Sequence, residues 1–226
     1  MKIIELEEVD STNEYCKRVD DGADITVTAK RQLSGKGTKG RSFVSVEGGL
    51  YISVMRHYDN FPAAHAFKIM VNSCVAVCKT LEKFGITPVI RWSNDILADG
   101  KKLSGTLIEN SFSGGQITRS VVGIGLNVNN ALTGELSAIA TSMKSVLKKE
   151  QNFNKVTKAL IANLQKEYTI ESYKRFMPWL GGEVLLKTDS GVKNCRALDI
   201  SDDGLLVCET DGKTKKISSA EVSLRF

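Results

Sequence analysis

The sequence predicts an α+β protein in two parts: a mixed β-sheet with helices over residues 1–180, and a small β-barrel over residues 181–226. In the first part, stretches with the two-residue alternation of strands are interleaved with stretches whose apolar residues recur at helical spacing. In the second part, short apolar runs are separated by Asp-Gly and Ser-Gly turns, and a Gly-Gly pair precedes the change of pattern. A length of 226 residues suits one large domain with a small one appended.

The composition is that of an ordinary globular protein, with 42% hydrophobic and 25% charged residues. No apolar run approaches the ~20 residues of a membrane span, and the alternating N-terminus is not typical of a signal peptide, so we expect a cytoplasmic protein. The five cysteines lack CxxC spacing and the chain has two histidines, which favours buried thiols over a zinc site. A net charge of +5 permits a phosphate-bearing partner without requiring nucleic acid.

The first strand leads into a predicted helix over residues 11–19. Ser11 as N-cap and Glu14 three residues later form a capping-box pattern. Capping alone would explain these two residues. It would not explain Thr12 and Asn13, which add a hydroxyl and an amide where free backbone N–H groups already favour a polar or anionic ligand.

A glycine-rich loop follows the second predicted strand, residues 25–29, which runs on toward the amide of Gln32. Glycines in the loop allow backbone N–H groups to approach an anion closely, while the interleaved cations neutralise it. The loop is neither a Walker loop nor a dinucleotide fingerprint. A flexible basic hairpin and a nucleic-acid-binding loop remain alternatives. Its glycines are Gly35, Gly37 and Gly40, and its cations are Lys36, Lys39 and Arg41.

A hairpin carries the most chemically suggestive residues. A core helix is predicted over residues 61–84, after which the apolar run 88–92 precedes Asn94 and Asp95. Asp99 and Gly100 then make the turn, and the return strand brings Lys102 close to Asp95. An ammonium in that setting can hold an anion and stabilise developing negative charge, although an exposed lysine at a hairpin tip is the alternative.

Alternate glycines mark a later strand over residues 121–129. Gly123 and Gly125 leave room for a ligand or another backbone, and Asn127 ends the strand with an amide facing a site. A packed strand with a glycine-relieved bend is the alternative. After a mixed stretch, apolar spacing from Val156 predicts a long helix that Pro178 ends.

Taken in order, these motifs resemble the biotin protein ligases. The resemblance covers essentially the whole chain and implies a class II synthetase-like catalytic domain of the biotin/lipoate ligase type over residues 1–180, with an SH3-like β-barrel domain over residues 181–226. It is carried by Ser11-Thr12-Asn13, the run from Gln32 to Arg41, Arg91-Trp92-Ser93-Asn94-Asp95, Lys102-Leu103-Ser104-Gly105, and Gly123-Ile124-Gly125-Leu126-Asn127-Val128.

The resemblance implies ATP-dependent conversion of biotin to biotinyl-5'-AMP and transfer of biotin to a lysine of a biotin carboxyl carrier protein. Mg²⁺ is expected to bridge the ATP phosphates, with no metal ligands from protein side chains. We expect no nucleic-acid or membrane partner and a monomer or homodimer. Because the catalytic strand begins within the first few residues, no DNA-binding domain fits and no repressor function is expected.

The resemblance also implies residue roles. Lys102 is expected to contact the biotin carboxylate and the activated intermediate, and Asp95 is the best carboxylate to orient Lys102 or accept a proton. The implied biotin-binding residues are Ser11, Thr12, Asn13, Gln32, Lys36, Gly37, Thr38 and Lys102. The implied ATP- or adenylate-binding residues are Gly35, Lys36, Lys39, Gly40, Arg41, Phe43, Asn94, Asn127 and Arg225.

The chain departs from the family pattern at several positions. Arginine is usual in the family at Lys36 and Thr38, tryptophan at Phe43 and proline at Ser93. We hypothesise that the missing cation at Thr38 lets the adenylate leak and label bystander lysines, which equal labelling by a Thr38→Arg variant would disprove. Lipoate–protein ligase is the nearest alternative function. A nucleic-acid-binding module is the more distant one, and the lack of aromatic residues between Gln32 and Ser42 weighs against it.

Overall fold

The structure is a computed structural model that describes residues 2–188, 191–210, 212–219 and 223–225. Its elements, in chain order, are β1 (Lys2–Val9), α1 (Thr12–Arg18), β2 (Ile25–Gln32), β3 (Gly49–His57), α2 (Ala66–Lys83), β4 (Val89–Arg91), β5 (Asp95–Ala98), β6 (Lys101–Ser113), β7 (Gln116–Asn127), α3 (Glu135–Ile139), α4 (Met143–Leu147), α5 (Phe153–Leu164), α6 (Ile170–Lys174), β8 (Glu183–Thr188), β9 (Gly191–Ile200), β10 (Leu206–Thr210), β11 (Lys213–Ile217) and β12 (Ser223–Arg225).

The predicted α+β fold is confirmed. Seven strands form one mixed sheet in the order β1-β2-β3-β7-β6-β5-β4, in which β1 pairs with β2 in parallel and the other neighbours are antiparallel. The strands alternate apolar residues between two faces. One face packs on α2 and α5 in the larger core, and the other packs on α1 in a smaller cluster around Cys16, Val27 and Met55. The second face also carries the candidate site.

A second, five-stranded antiparallel sheet forms from the C-terminal strands in the order β11-β10-β9-β8-β12. It joins the large sheet through the Trp92 indole, which donates to the Gly204 carbonyl at 3.1 Å. The Trp179 indole donates to the Ile90 carbonyl at 2.7 Å beside it. The exact boundary between residues 180 and 181 stays a prediction.

Several predicted details are wrong. Ser11 occupies the N-cap position of α1, but its side chain makes no capping hydrogen bond. The Glu14 side chain pairs with Lys17 and Lys36 and does not complete a capping box. The long helix ends at Leu164 and not at Pro178; the carbonyl of Leu164 accepts from Arg56 at 2.7 Å, which ties that end of the helix to β3. The core helix begins at Ala66 after a short 3₁₀ turn. Strand β11 was not predicted.

Two other expectations are confirmed, for the cysteines and for the hairpin turn. All five cysteines are free and buried. Asp99 and Gly100 form the hairpin turn with positive φ angles of 49° and 74°. In the part of the chain that the structure describes, no helix is both long and apolar enough to cross a membrane.

Candidate active site

Glycines on neighbouring strands form the floor of the site. The register pairs Gly105 of β6 with Gly125 of β7 and Gly125 with Tyr51 of β3, so these positions share one face of the sheet with Gly123. A Cβ at Gly123 would lie 2.3 Å from Asn13 Oδ1, and one at Gly125 would lie 2.5 Å from the Phe43 ring. The two glycines therefore leave room above the sheet, and in this structure the Asn13 and Phe43 side chains occupy it.

A polar wall stands at the Gly123 end of the floor, made by Thr12, Asn13, Gln32 and Ser53. The Gln32 side-chain carbonyl accepts from the Thr12 backbone N–H at 2.9 Å and from the Thr12 hydroxyl at 3.0 Å. The Ser53 hydroxyl lies 2.7 Å from Thr12 Oγ1 and 2.6 Å from Asn13 Oδ1. Sequence reasoning brought Thr12, Asn13 and Gln32 together correctly but missed Ser53, whose signal was a small polar residue inside an apolar strand.

Both ends of the Asn13 amide are engaged. Its Nδ2 donates to Glu109 Oε2 at 2.7 Å, while its Oδ1 faces Ser53. Glu109 was not predicted as a site residue either. It lies on β6, and it fixes the orientation in which Asn13 presents its carbonyl oxygen to the site. Ser11, at 3% exposure, is buried beside this wall at the start of α1.

A charged centre lies near the Gly125 end of the floor. Lys102 Nζ is 2.6 Å from Asp95 Oδ1, as the hairpin predicted, and Arg91 Nη2 is 2.7 Å from Asp95 Oδ2. Burial raises the pKa of Asp95, but the two cations lower it more, so the carboxyl stays below its ordinary range. The Thr141 backbone N–H donates to the Lys102 carbonyl at 2.9 Å and holds its backbone in place.

The glycine-rich loop closes on itself as a small hairpin. Gly37 N–H donates to the Arg41 carbonyl at 2.7 Å, and Phe43 N–H donates to the Gly35 carbonyl at 2.8 Å. The Phe43 ring then reaches the floor, with its centroid 5.6 Å from Lys102 Nζ. The loop and the charged centre therefore meet over Gly125.

The loop cations differ in their surroundings. Lys36 Nζ is 2.7 Å from Glu14 Oε1, so its predicted contact with a ligand competes with an internal ion pair. Arg41 is exposed and donates to the Thr38 carbonyl at 3.3 Å; among the described side chains, no carboxylate pairs with it. The side chains of Lys39 and Arg225 lie outside the described part of the chain.

The two asparagines assigned to the nucleotide also have protein partners. Asn94 Nδ2 donates to the Thr106 carbonyl at 2.7 Å, next to the charged centre. Asn127 ends β7 as predicted; it donates to the Thr141 carbonyl at 3.0 Å and accepts from Asn130 Nδ2 at 2.9 Å. In this structure both amides hold segments that flank Lys102 and Asp95, and their contact with a nucleotide stays a prediction.

Comparisons with known proteins agree with this arrangement. The Biotin/lipoate A/B protein ligase family profile matches residues 6–127, and the biotin protein ligase C terminal domain profile matches residues 180–225, in keeping with the predicted SH3-like barrel. The chain is 32% identical over 213 residues to the bifunctional ligase/repressor BirA of Bacillus subtilis, covering 88% of this chain and 65% of that protein. It is 25% identical over 233 residues to the biotin–[acetyl-CoA-carboxylase] ligase of Mycobacterium tuberculosis, covering 94% and 85%.

Solved structures are similar over nearly the full length. The biotin protein ligase from Aquifex aeolicus in complex with biotin and ATP has a TM-score of 0.76 and 31% identity, covering 99% of this chain and 98% of that one. Its apo structure gives a TM-score of 0.77 at 29% identity. The chain spans 65% of the length of the Bacillus relatives it matches. By profile match, sequence identity and fold, the chain belongs to the biotin/lipoate A/B protein ligase family.

Proposed function

We propose that the protein activates biotin with ATP to biotinyl-5'-AMP and transfers biotin to a lysine of a biotin carboxyl carrier protein. The observation that carries this proposal is the placement of the Thr12–Asn13–Gln32 wall and the Lys102–Asp95 pair at the two ends of one glycine floor. A ligand with a polar ring at one end and a carboxylate at the other fits that arrangement.

The hydrogen bonds within the polar wall favour a ligand that donates N–H groups. The Ser53 hydroxyl has a single proton, yet it lies within hydrogen-bond distance of both Thr12 Oγ1 and Asn13 Oδ1. The Thr12 proton points to Gln32. One acceptor oxygen is therefore left without a proton, and an N–H of the biotin ureido ring can supply it.

The charged centre suits activation of the carboxylate. A carboxylate does not acylate an amine at neutral pH because its oxygen leaves poorly, and attack on the α-phosphate of ATP converts that oxygen into part of AMP while pyrophosphate departs. Two anions must meet in this step, and the Lys102 ammonium can offset their repulsion. We propose that Mg²⁺ enters as the counter-ion of the ATP phosphates, whose negative charge it would neutralise. Among the described residues, no group of three or more His, Cys, Asp or Glu side chains could hold a metal ion.

In the second step, the acceptor lysine attacks the carbonyl carbon of the anhydride, the bond to AMP breaks and an amide forms. The lysine ammonium must first lose a proton, because only the neutral amine has the lone pair that attacks. Asp95 is a weak candidate for the base, because both of its oxygens are paired with cations and its pKa is held low. These contacts support the other predicted role of Asp95, which is to orient Lys102.

Intact mass spectrometry of a biotin carboxyl carrier domain tests the proposal. After incubation with the protein, ATP, Mg²⁺ and biotin, we expect one biotinyl addition that requires ATP and falls sharply in Lys102→Ala. Lys101→Ala is the matched control. Lys101 is next to Lys102 in the sequence, but its ammonium is exposed and donates to the Ser137 carbonyl. Addition from lipoate in place of biotin would identify a lipoate ligase, and no addition from either would refute the proposal.

Cytoplasmic action is proposed as well, supported by five free thiols, which persist in reducing compartments. The predicted monomer or homodimer can be resolved by light scattering in the same preparation.

A further inference from the structure

We propose that Glu14 is a positioning residue that holds the glycine-rich loop over the site through Lys36 and so retains the activated intermediate. The proposal rests on the proposed function, since retention has meaning only if an adenylate forms. Glu14 Oε1 accepts from Lys36 Nζ at 2.7 Å and from Lys17 Nζ at 3.0 Å. The hydrogen bonds from these two lysines lower the pKa of Glu14, so the carboxylate is charged at neutral pH.

The Glu14 carboxylate is one member of an alternating chain of charges. Lys17 Nζ also contacts Glu109 Oε1 at 2.7 Å, and the second oxygen of Glu109 accepts from Asn13. The chain therefore runs from Lys36 on the loop, through α1, to the polar wall on the sheet floor. The same chain of contacts therefore holds the loop in position and fixes the Asn13 side chain in the ligand site.

The loop has few other attachments at its tip. Its internal hydrogen bonds, from Gly37 to Arg41 and from Phe43 to Gly35, make residues 35–43 behave as one unit. Among the described side chains of residues 36–41, Lys36 is the one paired with another element. Fixing Lys36 therefore holds the backbone of the hairpin next to the site.

The exposure of the Lys36 and Glu14 side chains sets how much their contact can slow adenylate release. The Lys36 side chain is 50% exposed and that of Glu14 is 30% exposed, so solvent screens the pair. Pairs of this kind have modest energies, and losing this one should speed adenylate release by about two- to fivefold.

Adenylate release from the full-length protein tests the proposal. The protein is loaded with radiolabelled biotin and ATP, excess ligand is removed, and protein-bound label is followed without acceptor. We expect faster release from Glu14→Gln and from Lys36→Gln, with melting temperatures unchanged. Because the two residues act through each other, the double variant should release no faster than Lys36→Gln alone.

Glu82→Gln is the matched control, since Glu82 also pairs with a lysine three residues away on a helix, far from the loop. It should release at the wild-type rate. A wild-type rate from Glu14→Gln, or effects that multiply in the double variant, would overturn the proposal. Failure of the wild-type protein to form any adenylate would instead refute the proposed function.

Discussion

Replacing Asp95 with asparagine should expose how much the charged centre contributes to stability. Its carboxylate is shared by Lys102 at 2.6 Å and Arg91 at 2.7 Å. Asparagine keeps the shape and one acceptor oxygen but leaves two neighbouring cations without a counter-charge. The perturbation is therefore electrostatic rather than steric.

The magnitude follows from partial burial. The Asp95 side chain is 19% exposed and its partners Lys102 and Arg91 are 31% and 22% exposed. Exposed pairs contribute about 0–1 kcal/mol, and breaking a fully buried pair costs about 3–5 kcal/mol. We therefore expect Asp95→Asn to lower the free energy of unfolding by about 2 kcal/mol at neutral pH.

The pH dependence gives a sharper test. Although burial raises the pKa of Asp95, its two cations lower it more, so the native pKa lies below the ordinary value of 3.8. The stabilisation is then fully present above the unfolded-state pKa and is lost as pH falls through the native pKa. The difference between wild type and Asp95→Asn should stay constant from about pH 7 to about pH 5 and shrink below about pH 4.

Urea unfolding at a series of pH values measures this difference. Asp99→Asn is the matched control, because Asp99 lies in the same hairpin but is exposed and in a left-handed conformation that asparagine also adopts. A difference that stays constant down to about pH 3, or one no larger than that of the control, would refute the electrostatic account.

Two further changes test the floor and the contact between the sheets. Gly123→Ala puts a methyl group 2.3 Å from Asn13 Oδ1, so the polar wall must shift. The loss of one hydrogen bond to the ligand should raise the KM for biotin roughly tenfold. An unchanged KM in steady-state assays would contradict this. Trp92→Phe removes the donor to the buried Gly204 carbonyl and should cost about 1–3 kcal/mol in urea unfolding, whereas an unchanged midpoint would show that the sheets do not depend on this contact.

Local rules explain what could be predicted from the sequence. The Asp99-Gly100 turn brings the two strands of its hairpin together, with Lys102 opposite Leu97 and Asp95 opposite Gly105. The Lys102 side chain then reaches Asp95 across Gly105, which has no side chain to block it. The alternation of Gly123 and Gly125 likewise identified a face with room above it, because residues two apart on a strand share a face. In both cases the decisive residues lie within ten positions of each other.

Long-range contacts explain the errors. The Glu14 half of the capping box failed because the Glu14 carboxylate accepts from Lys36, a residue 22 positions away, in place of a backbone N–H at the start of α1. The long helix failed because Tyr168 N–H donates to Asn72 Oδ1 at 2.8 Å, so a side chain from α2 replaces the next turn of helix. Ser53 and Glu109 were missed for the same reason, since the pairing of β3, β7 and β6 is what sets them against Asn13.

Two side chains cover the glycine floor, and they differ in how firmly they are held. Asn13 enters the space over Gly123 and the Phe43 ring enters the space over Gly125. Asn13 is fixed by Glu109 and Ser53, whereas Phe43 belongs to a loop whose tip is held by one solvent-screened ion pair. A ligand reaching from the wall to Lys102 must therefore displace Phe43 and not Asn13. The weakness of the Glu14–Lys36 pair is then useful: a stronger contact would retain the intermediate longer but would also resist entry of the substrate.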